Sequence, residues 1–105
     1  MEYLNKVLGI EVTYKDVEFK HLPNFIVTRY RLQMASMNGK KVIFLYPKTE
    51  LEQIKVLKKH IARIQKNENK PIVLVLNELG FRQKEYLIRE KIPFIVEGKQ
   101  IYLPF

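Results

Sequence analysis

Val42-Ile43-Phe44-Leu45-Tyr46 is apolar at every position. A strand that is wet on one side alternates apolar and polar residues, so this run describes a strand covered on both faces. Asn38-Gly39 precedes it, the strongest short hairpin signal, because both central residues of a type I′ turn need positive φ. Upstream of that turn, Ile26, Thr28, Tyr30, Leu32 and Met34 share one face at period two, opposite Val27, Arg29, Arg31 and Gln33. We therefore expect a partner strand running from Phe25.

Downstream, Thr49-x-x-Glu52 has the form of a capping box, predicting a helix that starts there. Leu51, Ile54, Leu57, Ile61 and Ile64 give it an apolar stripe through Lys66. Pro71 opens a third strand, Ile72–Leu76, again wholly apolar. A second helix is expected over 81–91. Pro93 then opens a strand at Phe94–Val96, and Glu97-Gly98-Lys99 turns it into Ile101–Leu103. Residues 1–8 read as a short helix and Ile10–Tyr14 as a short strand. Strand–helix–strand units with buried apolar strands imply right-handed parallel crossovers. The expected fold is a single α/β domain over residues 1–105. It has a small mixed β-sheet with a parallel βαβαβ centre (42–46, 72–76, 94–96), flanked by β-hairpins, with helices packed on the sheet.

The chain has 105 residues, 47% hydrophobic and 29% charged, which is a globular composition. It lacks cysteine, which removes disulfides, thiolate–zinc sites and cysteine nucleophiles. There is no Walker loop, no G-x-G-x-x-G, no H-E-x-x-H and no G-x-S-x-G. Ser36 has no visible base partner, and His21 and His60 fall on unrelated elements, so neither a triad nor a histidine metal site is expected, and no cofactor. The first residues form no signal peptide, and no apolar run approaches the roughly 20 residues of a membrane span. A cytoplasmic protein is the expectation. The apolar ending Ile101-Tyr102-Leu103-Pro104-Phe105 suggests a domain from a longer chain.

Nineteen Lys and Arg against eleven Asp and Glu give a net charge of +8, the electrostatic footprint of a nucleic-acid binder and equally an ordinary solubilising charge. Lys55, Lys59 and Arg63 recur every four residues, with Lys58 and Lys66 nearby. Like charges at that spacing repel, so the row suits DNA phosphates or an acidic partner; a solvated helix face is the other reading. Arg29-Tyr30-Arg31 offers a stacking ring between two cations, or a core tyrosine between outward arginines.

Ligands of open α/β sheets bind beyond the carboxyl ends of the parallel strands. Tyr46, Lys48, Asn77, Glu78, Glu97 and Lys99 stand at those ends and outline a crevice for a small-molecule effector. Alternatively, Asn77 and Glu78 only cap the following helix. A metal-dependent nuclease would need an acid and an E-x-K pair on a strand. Of three E-x-K matches, only Glu18/Lys20, with Asp16 just upstream, lies in a possible strand. The edge strand at 101–103 invites pairing in a homodimer.

Leu22-Pro23-Asn24-Phe25, Thr28-Arg29-Tyr30, Ile92-Pro93-Phe94-Ile95-Val96 and Gln100-Ile101-Tyr102-Leu103-Pro104-Phe105 resemble an N-terminal domain of Gram-positive bacterial MarR-type (winged-helix) transcriptional regulators. The resemblance spans roughly residues 22–105. It implies a non-enzymatic accessory module for sensing, dimerisation or partner docking. In such proteins the DNA-reading helix-turn-helix would follow this domain.

Overall fold

The computed structural model describes residues 2–105. The elements run α1 (Glu2–Leu8), β1 (Val12–Lys15), α2 (Asn24–Val27), β2 (Tyr30–Met37), β3 (Lys40–Pro47), α3 (Ile54–Glu68), β4 (Ile72–Leu76), α4 (Phe81–Arg89), β5 (Phe94–Val96) and β6 (Gln100–Tyr102). All six strands form one sheet in chain order. β3, β4 and β5 are its parallel centre; β1, β2 and β6 add antiparallel pairings. The expected α/β class and parallel centre are thus present, and strand order follows the chain.

The β2–β3 hairpin closes at Asn38 (φ 53°) and Gly39 (φ 87°), the paired positive φ of the expected turn. Valine at 39 would have open space for its Cβ but would carry the left-handed penalty of about 1–2 kcal/mol. Gly39→Val should therefore lower the urea midpoint, and Gly39→Asn should lower it much less.

Because β3, β4 and β5 succeed one another in the same direction, right-handed crossovers put α3 and α4 on the same face. On that face Leu57, Ile64 and Leu87 pack against Ile43, Leu45, Ile72, Leu74 and Phe94. On the other face Leu4 of α1 closes over Val42, Phe44 and Val73, with Val75 and Ile95 in the same cluster. The all-apolar strands serve both layers by alternation: Val42 and Phe44 point one way, Ile43 and Leu45 the other.

Three local expectations are corrected. Residues 24–27 are a helical turn, and the strand expected from Phe25 begins at Tyr30. The period-two pattern there is real only from Tyr30 onward. Pro23 precedes the turn with its φ at −67°, and the Thr28 hydroxyl donates to the Asn24 carbonyl at 2.8 Å, stabilising local helical bonding over extension. The helix expected at 49 begins at Ile54, with Gln53 at its N-cap. Glu52 is drawn off the capping box by Arg29, 2.7 Å away. The second helix stops at Arg89 rather than 91, where Lys91 turns to φ 55°.

Candidate functional site

Beyond the carboxyl ends of β3, β4 and β5 lies an open crevice of about 1070 Å³. It gathers Tyr46, Lys48, Asn77, Glu78 and Glu97 from the expected set; Lys99 is not among its lining residues. Lys99 sits past the Gly98 turn, where its amide bonds back to the Val96 carbonyl at 2.9 Å. Asn77 and Glu78 do not cap α4. Gly80 holds the N-cap, and its N–H donates to Gln83 Oε1 at 3.1 Å. Both residues are exposed in the loop that forms one wall.

The facing wall is the segment Pro47–Leu51. Three contacts tie it and its continuation to the turn after α2. The Lys48 amide donates to the Arg29 carbonyl at 2.9 Å, Lys48 Nζ donates to the Val27 carbonyl at 3.1 Å, and Arg29 pairs with Glu52.

Sequence reasoning missed Arg31, Thr49, Glu50, Gly80 and Gln83 of the lining. Arg31 was within reach: counting back from the Asn38-Gly39 turn places it opposite Tyr46 on β3. Its guanidinium lies 3.8 Å from the centroid of the Tyr46 ring, a stacked cation with no carboxylate partner among the described residues. Tyr46 Oη donates to Gln33 Oε1 at 2.8 Å, and Gln33 Nε2 donates to Asp16 Oδ1 at 3.3 Å. Burial raises the Tyr46 pKa, and Arg31 opposes the rise. Tyr14, edge-on to Phe44 behind this row, has its pKa pushed up to about 12, chiefly by burial. Its hydroxyl is buried without a hydrogen-bond partner.

The nuclease triad does not assemble on a strand. β1 ends at Lys15, so Asp16, Glu18 and Lys20 occupy the exposed loop that follows. Asp16 is engaged by Gln33. Among the described residues no three His, Asp or Glu side chains are placed to hold a metal ion. No described helix is long and apolar enough to cross a membrane.

On α3, Lys55, Lys59 and Lys66 are exposed and Arg63 half-buried. Lys58 diverges from the row toward α4, 3.4 Å from Glu90. His60, on the same helix, is buried at 7% exposure. Its Nδ1 is 2.6 Å from the Tyr30 hydroxyl, and burial lowers its pKa. Tyr30 is itself 2% exposed, so it is the core tyrosine and not a stacking ring. Comparison of the chain with protein-family models, characterised proteins and solved structures gives no match.

Proposed function

We propose that this domain is a non-enzymatic accessory module of a MarR-like transcriptional regulator that senses a small-molecule effector in the strand-end crevice. The observation that carries the reading is the crevice itself. Five residues from the carboxyl ends of three parallel strands and their loops converge there. The mixture of Arg31 and Lys48 with Glu50, Glu78 and Glu97 suits a polar ligand rather than an apolar one. A ligand seated against Pro47–Leu51 would bear on a segment tied to α2 through Lys48 and Arg29. This gives ligand binding a route to the helical face.

A thermal-denaturation screen against amino acids, nucleotides and small carboxylates tests the sensing role. A ligand at a hundred times its Kd adds about 2.7 kcal/mol, a rise of roughly 10–20 °C in the midpoint of a domain of this size. Tyr46→Ala should abolish that shift. If no ligand class moves the midpoint, or the shift survives Tyr46→Ala intact, the sensing reading fails. The regulator assignment has its own test in the gene beyond codon 105. A basic helix-turn-helix pattern there supports it, and a stop codon directly after Phe105 overturns it.

A further inference from the structure

We infer that the outer face of α3, together with the segment ending at Phe25, binds single-stranded nucleic acid: phosphates on Lys55, Lys59 and Arg63, a base stacked on Phe25. The inference rests on reading the α3 cations as an anion-binding row, and is independent of the crevice.

Four residues of helix rise roughly 6 Å and turn about 40° past a full turn, so Lys55, Lys59 and Arg63 form a slanting row of cations that an extended strand can follow. None has an acidic partner within salt-bridge reach among the described residues. Glu52, the acid nearest the start of α3 in sequence, is committed to Arg29.

Two contacts lay the segment 21–25 along the flank of α3, and a third, within the helix, links Arg63 to that flank. Asn67 Nδ2 donates to the His21 carbonyl at 3.0 Å, and Arg63 Nη1 donates to Asn67 Oδ1 at 2.9 Å. Phe25 packs on His60 with ring centroids 5.6 Å apart. Arg63 thus lies about 60° around the helix from His60, toward the side that carries Phe25, with Lys59 about 100° around. His60 is held from beneath by Tyr30, which fixes the platform. Phe25 remains 47% exposed.

Cations in a row beside a rigid exposed aromatic ring are the elements of a single-strand site: charge follows the backbone and the ring takes a base face. A duplex keeps its base faces stacked on one another and has none to offer Phe25. A uniformly acidic chain such as polyglutamate could pair with the lysines but has no ring to stack on Phe25. The preference for single strands is what the geometry adds to the charge.

Fluorescence anisotropy with labelled dT20, a 20-base-pair duplex and polyglutamate decides the matter. We expect dT20 to bind most tightly, and to lose roughly twenty-fold in affinity between 50 and 200 mM KCl if three phosphates are neutralised. Lys55→Glu with Lys59→Glu should remove binding. Phe25→Ala should weaken dT20 binding about five-fold or more, as loss of one base–aromatic stack does, without changing the salt slope. Because Phe25 also packs on His60, Phe25→Trp provides the control. It keeps an aromatic face and should bind dT20 at least as well as the unmodified chain. Equal affinity for duplex or polyglutamate, or a Phe25→Trp variant as weak as Phe25→Ala, overturns the inference. Duplex binding that responds to the charge reversals but not to Phe25 would leave α3 an anion-binding face and end the single-strand reading.

Discussion

Phe44→Ala should destabilise the domain by about 3–5 kcal/mol, the range for truncating a large buried aromatic. Phe44 is fully buried on the central strand β3, edge-on to Tyr14 at 5.8 Å and to Tyr46 at 6.4 Å. Removing its ring opens a cavity beneath α1 and deletes two aromatic contacts, each worth about 0.5–1.5 kcal/mol beyond burial. Small domains hold only about 5–15 kcal/mol in total, so the variant should sit near its unfolding transition at 37 °C. Urea denaturation followed by circular dichroism measures the loss. Phe44→Leu, which leaves a smaller void, should lose distinctly less. A cost below 1 kcal/mol for Phe44→Ala would mean that the second face of the sheet is not packed as described.

The second large effect belongs to Tyr30 and His60. Tyr30→Phe deletes the hydroxyl 2.6 Å from His60 Nδ1 and strands a buried polar atom, which costs about 1–3 kcal/mol. The pair also gives stability a pH dependence. Burial lowers the folded-state pKa of His60 below its ordinary value of 6.5, so the unfolded chain binds the proton more readily. Stability from this group is therefore present above pH 6.5 and is lost as pH falls below it. The thermal midpoint should drop between pH 7 and pH 5. His60→Asn, whose side-chain oxygen can accept from Tyr30 in place of Nδ1, should flatten that profile. At the alkaline end Tyr30 works with the opposite sign. Its pKa is raised to about 12, mainly by burial, so its contribution holds below pH 10 and fades as pH rises toward 12. A Tyr30→Phe variant as stable as the parent, or an unchanged acid slope in His60→Asn, would refute this account of the pair.

The misplaced helix start and the buried histidine have a common origin. Thr49 and Glu52 have the right spacing to cap a helix, and nothing local argues against them. Arg29, 23 positions earlier in the chain, takes Glu52 away, and the segment Pro47–Leu51 becomes a wall of the crevice. His60 follows a lysine on an otherwise basic stretch, and polarity alone would put it in water. It is buried because α2 and Tyr30 fold across that flank of α3.

The sequence by itself determined the central strands and their parallel sense, while their order in the sheet came from the structure. Unbroken apolar runs at 42–46 and 72–76 require cover on both faces, Asn38-Gly39 sets the hairpin and hence the Arg31–Tyr46 register, and the helical stripe through Leu57 and Ile64 chooses its own buried side. These are short-range signals, fixed by periodicity and by the φ each residue tolerates. The tertiary structure alone decided which polar residues meet: Arg31 with the crevice, Lys99 outside it, Asp16 with Gln33, and Phe25 beside the cations of α3. Such pairings join residues far apart in the chain, and their energy depends on distances that exist only once the core has closed.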